Sequence, residues 1–335
     1  MAFRLPRLPL DPFLMLLAAT VALAALLPAQ GMGAVAVGHA ASIAVATLFF
    51  LYGTRLAPRN LLEGLLHWRL QVLIFAATYL LFPLLGLAMT RALGGWLPAA
   101  LVSGLMFICV LPSTVQSSIA FTSIARGNVP AALCAATLSN LAGMVLTPLL
   151  TALLLLRVGG GGGISTEALS DIALHLLLPF ALGQAVRPFA GRWLQRHKAV
   201  TSLVDRGSIL LVIYGAFSEG VVAGIWGQIT PAMLAVILVL DSVLLAVVLG
   251  ATLLASRALG LHRADEVVAV FCGSKKSIAS GIPMANILFP GDVVSMIVLP
   301  VMLFHQIQLF VCATLARRYA QRTEPEQAPV LVPAE

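Results

Sequence analysis

Two adjacent lysines, Lys275 and Lys276, stand inside FCGSKKSIASGIPMANILFP (271–290), a stretch that otherwise reads as membrane-embedded. A charged side chain at mid-bilayer depth costs ~2.5–3.5 kcal/mol on insertion scales, so it marks a cavity, a partner or a ligand. Three chemistries fit an embedded ammonium: binding an anionic substrate, occupying the place of a bound cation, or snorkelling to an interface as a structural charge. A position eight to twelve residues from either end of the span disfavours snorkelling. Neighbours on a helix point about 100° apart, so both lysines face one pocket only if the backbone is unwound between them. Gly273, Gly281 and Pro283 suit such a break, which is tolerated at depth where it lines an aqueous cavity.

A second polar run follows Pro112, where Ser113, Thr114, Gln116, Ser117 and Ser118 fill five of six positions. Their hydroxyl and amide oxygens can coordinate sodium or hydrogen-bond a substrate. A single membrane Ser or Thr usually bonds its own helix or a neighbour, but this density after a proline argues for a site. Ser139 and Asn140 can add oxygens to the same cavity or act as interhelical glue, and Ser277 extends the lysine segment. Asp241, among Val239-Leu240 and Val243-Leu244, is the natural counter-ion for one of the lysines, or a proton-carrying group. Glu219 reads as an aqueous-facing acid, and His305, beside Gln306 and Gln308, as a cavity wall. No nucleophile constellation, zinc pattern, P-loop or GxGxxG occurs, which argues against an enzyme, ATP hydrolysis and any bound cofactor.

Composition sets these residues in a membrane. Of 335 residues, 60% are hydrophobic and 10% charged, against about 25% charged in a soluble domain. The net charge of +7 is no nucleic-acid footprint, because the basic residues lie in short loops between apolar spans. Cys109, Cys134, Cys272 and Cys312 lie in apolar stretches without paired spacing and read as small core residues. Spans of ~20 apolar residues fall at about 12–30, 34–54, 69–90, 96–125, 129–156, 167–187, 205–226, 230–256, 264–289 and 292–316. The first is read as a retained helix rather than a cleaved signal peptide. With the N-terminus cytoplasmic, sixteen Lys and Arg fall inside and only Arg91 and Arg157 outside, so both termini are expected in the cytoplasm.

The chain also folds back on itself. Gly159 to Gly163 forms a flexible joint (158–166) between two five-span halves, 1–157 and 167–322, and 323–335 reads as a disordered tail. Five is odd, so the second half enters the membrane from the opposite side, as in an inverted repeat. The fourth span of each half carries Ser-Ile-Ala after polar residues, at Ser118-Ile119-Ala120 and Ser277-Ile278-Ala279. The following spans open on Gly127-Asn128-Val129 and Gly291-Asp292-Val293. Interrupted helices in matching places of two halves point to a transport site at mid-membrane.

Ala125-Arg126-Gly127-Asn128-Val129, Thr147-Pro148-Leu149-Leu150 and Phe271-Cys272-Gly273-Ser274-Lys275-Lys276-Ser277 carry a resemblance to the bile acid:sodium symporter superfamily, in its SBF-like branch. That resemblance covers nearly the whole chain. It implies an all-α membrane protein with ten helices in two inverted repeats, and with spans 4 and 9 broken and crossing. It also implies a core domain of spans 3–5 and 8–10, a panel domain of spans 1, 2, 6 and 7, and transport of organic anions driven by sodium. The residues depart from the sodium-driven branch. Its Ser-Asn pair is met by Ser118 and Ile119, its acidic ligand by Phe271, its ninth-span glutamine by Lys275, and its third-span glutamine falls near Thr78. The expectation is therefore a multi-pass inner-membrane transporter of a small organic anion, coupled to Na+ or H+, with sodium displaced by a lysine. In this reading Lys275 donates to Ser117 or Ser118, and Lys276 is left for the substrate or for Asp241. The alternative is a membrane regulator of calcium or solute uptake that transports nothing.

Overall fold

The structure, a computed structural model, describes residues 12–55, 67–93, 95–158, 174, 177–289 and 291–321. The glycine joint at Gly159–Gly163 and the C-terminal tail lie outside them. Among the described residues there is no strand; helices let each backbone group find its partner within its own segment, one of the two ways a chain can cross hydrocarbon. In chain order the helices are α1 (Pro12–Leu26), α2 (Met32–Arg55), α3 (Trp68–Ala76), a π-helical turn (Ala77–Leu81), α4 (Phe82–Ala92), α5 (Ala99–Val110) and α6 (Gln116–Ile124). There follow α7 (Val129–Val158), α8 (Leu178–Arg196), α9 (Lys198–Val222), a 3-10 turn (Ile225–Gln228), α10 (Pro231–Ala258), α11 (Arg263–Gly273), α12 (Ile278–Leu288) and α13 (Gly291–Gln321).

Among the described residues, six helical stretches are long and apolar enough to cross a membrane: Met32–Thr54, Trp68–Ala92, Val129–Leu154, Ala199–Val222, Pro231–Ala258 and Val293–Gln321. Met15–Leu26 and Ala99–Val110 are shorter apolar helices. The chain is thus an all-helical, multi-pass membrane protein. Two stretches expected as single spans, 96–125 and 264–289, are each split into two helices of nine to twelve residues. The sixth span needs one correction: the helix expected to end at 187 continues to Arg196, and α9 already begins at Lys198, while the expected start at 167 lies outside the described residues. Arg187, Arg192 and Arg196 therefore lie on a helix rather than in a loop, with Arg196 in its last turn, where the helix dipole favours cations.

Packing sorts the helices. α2 packs on α8 and α9, and α1 on α9; α3 to α7 and α10 to α13 pack among themselves, and α9 reaches across to α12 and α13. Small residues permit the closest approaches, as expected where lipid offers no hydrophobic drive. A Cβ at Gly53 would overlap the Phe180 carbonyl of α8, and one at Gly183 the Phe50 carbonyl of α2. A Cβ at Gly104 of α5 would stand 2.6 Å from the Ile297 carbonyl of α13. All four cysteines are buried and none forms a disulfide.

Candidate functional site: the junction of the two helix breaks

The first break is written by Pro112. A residue before proline is pushed out of the helical region, and Leu111 is extended at φ −69°, ψ 152°, ending α5. The second break lies between Gly273 and Ile278; Ser277 takes the N-cap of α12 and accepts from the Ser280 amide at 3.2 Å. Each break frees backbone groups, and the two breaks satisfy one another. The Ser277 amide donates to the Pro112 carbonyl at 2.8 Å. Ser113 Oγ donates to the Cys272 carbonyl at 2.7 Å, and Ser118 Oγ to the Phe271 carbonyl at 3.2 Å.

The neighbouring helices complete the stitching. Ser139 Oγ accepts from the Ser113 amide at 3.0 Å, and Tyr79 OH donates to the Ser139 carbonyl. Asn140 Nδ2 donates to the Ser113 carbonyl at 2.6 Å, while its Oδ1 accepts from Ser280 Oγ at 2.9 Å. Thr147 Oγ1 donates to the Val110 carbonyl at 2.7 Å. Thr114 Oγ1 lies 2.9 Å from Ser117 Oγ and 3.1 Å from Ser118 Oγ. Many of the hydroxyls singled out in the sequence thus bond backbone groups that the breaks release.

The lysines turn opposite ways. Lys276 Nζ donates to three carbonyls: Leu111 at 2.7 Å, Thr78 at 3.0 Å and Cys109 at 3.1 Å, with the Phe82 ring 4.0 Å away. Each acceptor is free for a local reason. Cys109 and Leu111 stand where α5 stops. In the π turn the Phe82 amide bonds back to the Ala77 carbonyl, an i to i+5 step. The same step for Thr78 falls on Pro83, which has no N–H, so its carbonyl is left over. Gln308 clamps the lysine's backbone from α13, accepting from the Lys276 amide and donating to its carbonyl, both at 2.9 Å.

Lys275 Nζ has no hydrogen-bond partner although the residue is fully buried. It sits 3.8 Å from the centroid of the Phe121 ring and 5.9 Å from that of Phe271. This reverses the sequence expectation: Lys275 does not donate to Ser117 or Ser118, and Lys276 is not the free lysine. The backbone is unwound as expected, but it sends the two ammonium groups to different sides of the junction. Nor does Asp241 pair with either lysine; its carboxylate is fully buried and neither oxygen has a hydrogen-bond partner.

Three further expected residues lie at the margin. Gln116 is exposed at the start of α6. Glu219 is exposed near the end of α9, its carboxylate against Gly291. His305 is buried and its Nδ1 lies 2.8 Å from Gln308 Nε2; the amide donates, so the ring proton belongs on Nε2. Sequence reasoning placed Gln308 only in the polar cluster of the last span and gave Tyr79, Ser280 and Thr147 no role in the site. Tyr79 reads as an ordinary span residue, and Thr147 stands out only through the Thr147-Pro148 motif of the family resemblance. No group of three His, Cys, Asp or Glu that could hold a metal occurs among the described residues.

The turn from α6 to α7 closes the same body. Arg126 adopts φ 57°, and the Asn128 amide donates to the Ala264 carbonyl at 3.1 Å. Asn128 Nδ2 reaches Asp265 Oδ1 at 2.9 Å, and a Cβ at Gly127 would stand 2.5 Å from Val267 Cγ1. The Arg126-Gly127-Asn128 motif therefore pins this turn onto the start of α11.

An all-helical membrane body with two interrupted helices bonded at their breaks defines a transporter class, and the family comparison agrees. The chain belongs to the SBF-like CPA transporter family, whose model matches residues 11–321. It is 48% identical over 323 residues to "Putative symporter YfeH" of Escherichia coli K12, covering 95% of this chain and 96% of that protein. An uncharacterized protein of Pseudomonas aeruginosa is 49% identical over 323 residues, 96% and 97% of the two chains. The mouse sodium/bile acid cotransporter 7 is 30% identical over 281 residues, covering 82% of this chain and 81% of its own. The protein is a membrane transporter of the bile acid:sodium symporter type and not an enzyme.

Proposed function

We propose that the protein is a secondary transporter of the inner membrane that carries a small organic anion by alternating access and does not require sodium. Ten spans form two inverted repeats, residues 1–157 and 167–322, with both termini cytoplasmic. α5/α6 and α11/α12 are the interrupted fourth and ninth spans, crossing near the bilayer centre. Spans 3–5 and 8–10 form the core, and spans 1, 2, 6 and 7 a panel that moves against it.

The observation that carries this reading is the Lys276 ammonium, held by the carbonyls of Thr78, Cys109 and Leu111 where the two breaks meet. Converging carbonyl oxygens are what a hard cation takes as ligands. An ammonium fixed among them repels a second cation by about 4 kcal/mol at ~4 Å and an effective dielectric of 20. A tethered cation thus does the structural work that sodium would do, which leaves H+ as the coupling ion. Lys275, without a hydrogen-bonding acceptor of its own, is the charge available to an anionic cargo, with Gln116 and Ser117 on the adjoining turn of α6. Asp241, buried without a partner, is the candidate proton carrier.

One observation favours a second reading, a membrane regulator that moves nothing: Lys275 is fully buried against two phenylalanine rings. Uptake of a panel of radiolabelled mono- and dicarboxylates into proteoliposomes, with and without an inward proton gradient, separates the two. Gradient-driven accumulation of any member supports the transporter; none across the panel, from folded protein, supports the regulator.

A further inference from the structure

Away from the junction, the outer ends of α9 and α13 meet along a stripe with almost no side-chain volume. A Cβ at Gly220 would overlap Ser295 Oγ and stand 3.1 Å from Trp226 Nε1. A Cβ at Gly291, one turn before Ser295 on α13, would overlap the Glu219 carboxylate. That carboxylate lies at the first residue of α13, where free backbone N–H groups favour an anion. Trp226 stacks on Phe217, with ring centroids 4.9 Å apart and planes 25° apart. It sits on the 3-10 turn that follows Gly224, whose φ is 69°.

The contact is tight yet poorly satisfied. Trp226 Nε1 and Ser295 Oγ are buried without a hydrogen-bond partner, and Ser295 is wholly buried. A polar atom sealed without a partner favours any state in which it meets water. Two such atoms at one contact favour its opening, whereas the close approach at Gly220 favours its closure.

We propose that the contact of Gly220 and Glu219 with Ser295 and Gly291 is the outer gate of the transport path, closed in this structure. The inference rests on the alternating-access reading. It assigns the gate to α9, the helix through which the group of α1, α2, α8 and α9 meets α12 and α13. Opening slides α9 off α13, hydrates the two orphaned atoms and lines the entrance with hydroxyl and indole donors suited to an anion.

The test follows a thiol at Ser295→Cys in intact cells with a membrane-impermeant maleimide; the native cysteines are buried and set the background. Slow labelling is expected, rising at least tenfold when Gly220→Leu is added. A double variant, Gly220→Cys with Ser295→Cys, guards against misfolding. The Gly220 Cβ position is 3.1 Å from Ser295 Cβ, close to the ~3.5–4.5 Å of a disulfide, so mild oxidation should join the pair. An unchanged labelling rate with Gly220→Leu in folded protein, or a thiol pair that stays reduced, overturns the gate. A contact that responds in a protein moving no solute overturns the transport reading, and the gate with it. Uptake that proceeds while the thiol never responds removes the gate alone.

Discussion

Replacing the two adjacent lysines one at a time separates their roles by the sign of the effect. Lys276→Met removes the donor to three carbonyls, at Thr78, Cys109 and Leu111. An orphaned buried acceptor costs ~1–3 kcal/mol, so three cost ~3–9 kcal/mol. The desolvation of the ammonium, several kcal/mol, is recovered in the variant, which brings the net loss to about 3 kcal/mol. At ~2–4 °C per kcal/mol for a chain of this size, Tm falls by roughly 6–12 °C. Lys276→Arg should not rescue it, because a planar fork cannot place three donors where one tetrahedral ammonium does. Lys275→Met orphans nothing, since that amine has no hydrogen-bond partner, and a methionine between Phe121 and Phe271 makes favourable sulfur–ring contacts. Its Tm should hold or rise. Thermal unfolding of the purified variants in one detergent reads both. A Lys275→Met protein that loses as much as Lys276→Met would refute the assignment.

Three other outcomes follow from the same geometry. Gln308→Leu breaks both bonds to the Lys276 backbone, and unfolding should show a loss of about 2–3 kcal/mol at ~1–1.5 kcal/mol per bond; a neutral result would mean the clamp is redundant. Asp241→Asn should abolish proton-driven uptake while leaving Tm unchanged or higher, since neither carboxylate oxygen has a partner to lose; proton-driven uptake at the wild-type rate would remove Asp241 from coupling. Thiols introduced at Ala2 and Ala328 should label only from the cytoplasmic side, and labelling of either from outside would overturn the orientation.

The breaks themselves were legible in the sequence because their causes are side chains. Pro112 forces Leu111 out of the helix, and Gly273 with two lysines disfavours a continuous ninth span. The roles of the two lysines were not legible, because the deciding groups are carbonyls, which every residue carries. The acceptor at Thr78 exists through a π turn and a proline five residues on, a coincidence of register that no residue type announces. The hydroxyl-rich segment was read as free ligands, whereas Ser113 and Ser118 donate across to the other break and Ser139 accepts from this one. The far end of the sixth span was not legible, because Arg187, Arg192 and Arg196 look like loop residues, yet the helix runs on through them to Arg196, whose place in the last turn suits a cation.

The account stands most directly on sodium. Uptake of an accepted anion by wild type and by Lys276→Gln should be measured in the same proteoliposomes, with sodium exchanged for choline. A tethered ammonium at the junction predicts that the wild type is indifferent to the exchange. It also predicts that any sodium dependence appears only in the variant, where the three carbonyls and a new amide oxygen are open to a metal ion. Wild-type uptake that collapses in choline would contradict it.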